Sequence, residues 1–373
     1  MSIEPKRRAW VEVDLDAFRS NFGSIAERLP PGCGILPMVK ADAYGIGLDR
    51  AVRTLGPLGV WGFGVATTDE GIEVRSHGWA GPVVVFSPTL PADTRALMER
   101  RLEPVVSGCE ALRACGLAAR ALGGTLPVHI EIDTGMGRFG IGCAGIADRA
   151  KEVAEILSLG GLDLRGTLTH FHSADDDPVE TSEQWTRFEA AIARLKEARV
   201  DPGLVHAANS AATLRYDGFV GDLVRPGIRL YGGGPWEPRG QPVVSVRARV
   251  LDVRNVEAGA TVSYGATWQT PAPTRLATLG IGYADGLRRE LSNRGRVLIH
   301  GREAPVRGVV CMDSVVVEVG DRKDVQTGDV ATVLGRDGEA EIGLDEVAEL
   351  CGTIDYEILT GWSRRLPRIE LER

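Results

Sequence analysis

Gly34-Ile35-Leu36-Pro37-Met38-Val39-Lys40 carries an apolar run to a lysine, and Ala41-Asp42-Ala43-Tyr44-Gly45 follows at once. The run has the length of a buried strand, and a charge at its end is costly unless the amine is paired or used. Lysine is scarce in this chain. The others stand at 6, 151, 196 and 323, in polar or charged surroundings where an ammonium is solvated. Further short apolar runs follow: Gly62–Ala66, Val83–Phe86, Pro104–Ser107, Val128–Asp133, Arg165–His172, Leu204–Ala208 and Leu223–Arg225. Amphipathic stretches separate them, among them Asp16–Leu29, Ile146–Leu159 and Glu183–Ala198, where Trp185, Phe188, Ile192 and Leu195 recur at helical spacing. Alternation of this kind predicts an α/β fold with an N-terminal (β/α)8 TIM-type barrel. A doubly wound sheet is the alternative, but no G-x-G-x-x-G follows the first strand.

After Tyr231-Gly-Gly-Gly-Pro the period changes to two. Val244, Val246, Ala248 and Val250 alternate with Ser245, Arg247 and Arg249. Short runs at Arg275–Gly280, Arg296–Ile299, Ser314–Glu318 and Val330–Leu334 predict a mostly-β C-terminal domain, with a late helix at Leu344–Cys351. The division is set at residues 11–237 for the barrel and 238–373 for the β domain, with residues 1–10 assigned to the latter.

Composition narrows the function. Of 373 residues 43% are hydrophobic and 25% charged, which suits a globular enzyme rather than a disordered chain. The net charge of -8 argues against nucleic acid as a partner. No run approaches a membrane span and the N-terminus has no secretory core, so the expected place is the cytoplasm, away from membranes. The six cysteines form no C-x-x-C pair, and neither a zinc framework nor a disulfide scaffold is expected.

In a barrel of this type chemistry sits at the C-terminal ends of the strands. Those ends supply Lys40, Asp133-Thr-Gly-Met-Gly-Arg138, His170-Phe-His172, His206-Ala-Ala-Asn209-Ser210 and Arg225-Pro-Gly227-Ile228. Together they make an electropositive, anion-receiving site with a candidate amine nucleophile. His170 and His172 share a strand face and could hold a metal, but no further ligand cluster accompanies them, and no metal is expected.

The motif Val39-Lys40-Ala-Asp-Ala-Tyr44-Gly resembles the cofactor-lysine motif of bacterial alanine racemases. The Asp133–Gly140, His206–Ala212 and Arg225–Gly232 segments resemble later motifs of that family, in order. So do Ser263-Tyr264-Gly265, Gly282-Tyr283-Ala-Asp-Gly286, Cys311-Met312-Asp313 and Tyr356-Glu-Ile-Leu. The resemblance implies pyridoxal 5'-phosphate bound covalently through Lys40 and a two-base racemisation of L- and D-alanine that supplies peptidoglycan. It places Tyr44, Ser210, the backbone of Gly227 and Ile228, and Tyr356 on the phosphate, with Asn209 beside them. On the same resemblance Arg225 would face the pyridine nitrogen, His170 would lie against the ring, and His206 would support Arg225. Arg138 would engage the substrate carboxylate or the cofactor's phenolic oxygen. The resemblance also implies that Tyr264, with Cys311, Met312 and Asp313, comes from the partner subunit of a homodimer. A free tyrosine ionises at about pH 10, so the second base needs the neighbouring Arg and His groups.

Three positions depart from the family pattern: Glu131 where many members carry a carbamylated lysine, Ile46 for a histidine, and Val309 for an arginine. Glu131 is expected to replace the carbamate in orienting Arg138. Racemases of serine or of a broader amino-acid set share much of this pattern. A decarboxylase of the same architecture lacks support because its glycine-rich phosphate loop is absent. A non-catalytic cofactor-binding barrel would have no β domain, and a metal-dependent hydrolase would rest on the two histidines alone.

Overall fold

The computed structural model describes residues 7–371. Residues 1–6, part of the segment assigned to the β domain, lie outside that range.

Eight parallel strands form the barrel: Gly34–Ile35, Phe63–Val65, Val83–Val85, Glu103–Val106, Leu126–Asp133, Leu162–Leu168, Leu204–His206 and Leu223–Val224. The second to seventh pair in sequence order, and the first pairs with the last. A bridge between Met38 and Gly64 joins the first strand to the second. Asp222 N donates to Val205 O at 2.7 Å and Arg225 N to Ala208 O at 2.8 Å, which closes the ring. Strand alternation sorts the side chains. Ile130 and Ile132 are buried outward against the helices, while His129 and Glu131 point inward. Within the ring Leu36, Val84, Val105 and Leu168 form a small apolar plug with Trp61 and Phe86. Helices Leu15–Ala26, Ile146–Ser158 and Pro178–Glu197 pack outside, and Phe188, Ile192 and Leu195 are buried there as core.

Two expected strands end early. The run expected to reach His172 stops at Leu168, so His170 and His172 stand on the following loop and share no strand face. The lysine segment leaves the ladder before Lys40, and residues 41–44 have φ of 52–55°. Four consecutive non-glycine residues in the left-handed region cost roughly 1–2 kcal/mol each. The turn persists because its polar groups are tied down. Glu70 accepts Ala41 N at 2.7 Å and Ala66 N at 2.7 Å, and Asp42 Oδ1 accepts Leu48 N at 2.7 Å.

In the β domain, Val244–Val256 is the central strand. It pairs with Ala9–Asp14, Thr274–Leu279 and Val330–Asp337. Its first seven residues alternate buried and half-buried, as the period of two predicts. Ala9–Asp14 is also flanked by Arg368–Leu371, so both described ends of the chain lie side by side in this sheet. That N-terminal strand runs four residues past position 10. Asp14 then caps the first barrel helix, accepting Ala17 N at 2.9 Å. The late helix spans Leu344–Cys351.

Candidate active site

One cavity at the barrel mouth gathers most of the expected barrel residues together with Tyr356 of the β domain. Its walls are Lys40, Tyr44, Arg138, His170, Asn209, Ser210, Arg225, Gly227, Ile228 and Tyr356, with Met38 and Phe86 in addition. The Lys40 amine opens into it. Surrounding protein pulls the lysine pKa below its ordinary value, with Arg138 adding to the effect and Glu70 opposing it.

Arg225 is buried at the back. Its guanidinium donates to Thr169 O at 2.8 Å and Ala207 O at 2.9 Å, and lies 3.2 Å from His206 Nδ1 and 3.4 Å from His170 Nδ1. Burial brings it down to about 10, with Glu131 opposing and Arg138 assisting, so it remains cationic at neutral pH. His170 is held down to about 3 by burial and by the Arg225, Arg138 and Lys40 charges, and is therefore neutral.

On the opposite wall Ser210 Oγ accepts Gly227 N at 2.8 Å. A methyl on Gly227 would meet the Tyr44 hydroxyl at 2.3 Å, so only glycine lets the backbone approach this wall. Tyr44 stacks on Tyr231 with centroids 4.4 Å apart, and the Tyr231 hydroxyl donates to Met38 O at 3.0 Å. Burial pushes both Tyr44 and Tyr356 upward, which keeps them protonated donors. Asn209 lines the cavity, but its side-chain oxygen is committed to capping the helix that follows, accepting Ala212 N at 2.9 Å.

Glu131 is 4% exposed, and no direct ion pair joins it to Arg138. Burial raises its carboxyl, while Arg225 and then Arg138 pull it back. Its action on both guanidinium groups is through the field. Arg138 is exposed, with its guanidinium 5.6 Å from the Phe139 ring centroid. Ile46 is fully buried in the core where the family pattern has a histidine.

Tyr264, Cys311, Met312 and Asp313 line a second depression with Ser263 and Ser314 and share no wall with the first. Tyr264 is 72% exposed and Met312 52%. Their loops are nevertheless fixed. Tyr283 N and Ala284 N donate to Cys311 O and Met312 O at 3.0 Å, and Gly282 has no room for a Cβ against those carbonyls. Buried Asp285 receives Arg8 at 2.8 Å, Arg365 reaches Asp313 at 2.7 Å, and Ser263 Oγ donates to Val309 O at 2.6 Å.

Sequence reasoning missed Glu70, Glu103 and His129. His129 and Glu103 continue inward from His206. A signal existed in Val128-His129-Ile130-Glu131-Ile132-Asp133, where polar residues alternate with apolar ones on the barrel's inner face. Among the described residues no three His, Cys, Asp or Glu side chains gather as a metal site. His172 bonds instead to Ser173 Oγ at 2.7 Å, and all six cysteines are free.

A parallel barrel with an amine at its mouth and a buried arginine behind it, completed by a β domain carrying an exposed tyrosine, defines a two-domain amino-acid racemase architecture. Alanine racemase N-terminal and C-terminal domains match residues 13–235 and 243–370. The chain belongs to the alanine racemase family. It is 38% identical over 372 residues to alanine racemase of Halothermothrix orenii, covering 97% of this chain and 96% of the relative. Alanine racemase from D-cycloserine-producing Streptomyces lavendulae superposes with a TM-score of 0.94 at 34% identity, covering 99% of this chain and 98% of that one. The Bartonella henselae alanine racemase, with covalently bound pyridoxal phosphate, has a TM-score of 0.90 at 27% identity and covers 98% of this chain and 100% of that one.

Proposed function

We propose that this chain interconverts L- and D-alanine in the cytoplasm, supplying D-alanine for peptidoglycan, as a homodimer with shared active sites. The observation that carries this reading is the separation of two complementary half-sites on one chain, Lys40 in a walled cavity and Tyr264 exposed on the β domain. No described helix is long and apolar enough to cross a membrane.

The residues present fit pyridoxal 5'-phosphate. Gly227, whose missing side chain leaves room beside Tyr44, suits a phosphate cradle, with Ser210, Ile228 and Tyr356 as its other walls. Lys40 supplies the amine for covalent attachment, and its lowered pKa favours the neutral form that attacks. Arg225 would hold the ring-nitrogen end of the cofactor as a cation that gives up its proton poorly, with neutral His170 beside it. Bound there, the cofactor supplies an electron sink for charge developing at the substrate Cα.

Racemisation needs a proton removed on one face of Cα and returned on the other. The Lys40 amine serves the D-face and the Tyr264 hydroxyl, from a second copy, the L-face. Arg138, the exposed cation at the rim, holds the substrate carboxylate. Met312 walls the entrance, with Cys311 and Asp313 fixing its loop.

Purified holoenzyme given a panel of L-amino acids should racemise alanine. In deuterated water Tyr264→Phe should slow loss of the L-alanine Cα proton far more than that of the D-enantiomer. Equal slowing would contradict the two-base division, and turnover of another amino acid in preference to alanine would contradict the substrate.

A further inference from the structure

The back of the site does not end at His206. Arg225 lies 3.2 Å from His206 Nδ1. His206 Nε2 lies 3.1 Å from His129 Nδ1, and His129 Nε2 lies 3.0 Å from Glu103 Oε2. Both histidines are fully buried and Glu103 nearly so. Glu103 opens its strand and His206 closes its own, so the chain of bonds runs through the barrel interior from its floor to its mouth. The fold makes room for it: a Cβ on Gly166 would stand 2.5 Å from His129 Nδ1.

The polarity of this chain is determined. An arginine only donates, so His206 Nδ1 must be a bare acceptor. Burial beside Arg225 keeps His206 neutral, which leaves its one proton on Nε2 and makes it the donor to His129 Nδ1. The His129 proton then lies on Nε2 and is donated to Glu103, an acceptor-only carboxylate. Both ends impose the same direction: the guanidinium cannot accept and the carboxylate cannot donate. Without Glu103 only the mouth end enforces it, and the reversed series, with a His206 N–H against the guanidinium, is no longer opposed at the floor.

We propose that Glu103 and His129 are positioning residues for Arg225: the carboxylate at the barrel floor fixes both histidine tautomers, and through them the orientation of the guanidinium at the mouth. The inference rests on the racemase reading only for what Arg225 then does. The hydrogen-bond polarity itself is testable in the protein without cofactor.

Nitrogen-15 spectra of the histidines in the apoprotein should show His206 and His129 protonated on Nε2. A His206 proton on Nδ1 in the unsubstituted protein would overturn the proposal by itself, whatever the variants do. Glu103→Leu should give mixed tautomers and, in the holoenzyme, about a tenfold fall in kcat, the worth of one charge-assisted hydrogen bond, with KM within about twofold. Glu103→Gln retains a carbonyl acceptor and should restore the tautomers and most of kcat. Unchanged tautomers in the leucine variant, or a glutamine variant as impaired as leucine, would show that Glu103 does not set the polarity. If alanine is not the substrate, the spectra still decide the tautomers, so the two readings fail separately.

Discussion

The barrel mouth and the β-domain rim, proposed above as the two halves of one chemistry, are built in opposite ways. At the mouth the buried polar groups are tied to neighbours. Arg225 reaches two carbonyls and two imidazoles, Ser210 holds Gly227, and Tyr44 is clamped by Tyr231. At the rim Tyr264 and Met312 face outward on loops that are rigid but uncovered. Folding of one chain preorganises the barrel half, whereas Tyr264, the proposed second base, has a fixed but exposed position. The proposed homodimer would complete such a site by assembly.

The contrast can be broken most severely at Lys40. Lys40→Ala should lower racemisation by about 10³-fold or more and abolish the visible band of the lysine-bound cofactor while the β domain is unchanged. Retention of that band would remove Lys40 from its role. Gly227→Ala tests the opposite wall. The added methyl has only 2.3 Å to the Tyr44 hydroxyl, so cofactor affinity should fall roughly tenfold or more by equilibrium dialysis. Unaltered affinity would mean that the wall yields and is not a cradle.

Glu131→Gln sharpens the account of the field behind the site. Its carboxylate acts on Arg225 and Arg138 without touching Arg138, so kcat/KM should drop only a few-fold, roughly fivefold. Wild-type activity should be indifferent to bicarbonate removal. A glutamine variant equal to wild type would make Glu131 merely a filler of the barrel.

The smallest effect is a pH dependence of stability. His170 and His206 are held neutral in the fold, His170 down to about 3 and His206 well below the ordinary value of about 6.5. Below about pH 6.5 the unfolded chain takes up protons that the native state refuses, so stability is complete above that pH and falls as pH drops. The slope is about 1.4 kcal/mol per unit for each such histidine. Thermal unfolding from pH 7 to 5 should show a falling Tm that His206→Gln flattens.

The barrel was legible because its strands are short apolar runs with chemistry placed at their ends, and the β domain because Val244–Val250 alternates strictly. Strand ends were less so. Apolar Pro37, Met38 and Val39 suggest that the ladder continues to Lys40, but the chain turns left-handed there, a state stabilised by Asp42 through a local bond from Leu48 N and by Glu70 through a contact distant in sequence. The same limit hid Glu103 and His129. A carboxylate at residue 103 and an imidazole at 129 have no shared motif, and only the pairing of their two neighbouring strands, with Val105 opposite His129, brings them to 3.0 Å. Glu131 was placed correctly on the inner face by alternation, yet its separation from Arg138 depends on how the loop after Asp133 carries the arginine outward.

The central claim is that Lys40 of one copy works with Tyr264 of another, and subunit exchange between two inactive variants tests it most directly. Lys40→Ala and Tyr264→Phe proteins are mixed, exchanged under mild denaturant, and assayed for alanine racemisation, with mixed dimers verified by mass. Random re-pairing makes about half the dimers mixed, each with one intact site of two, so activity should return to about a quarter of wild type. Mixed dimers that form and remain inactive would contradict the shared site.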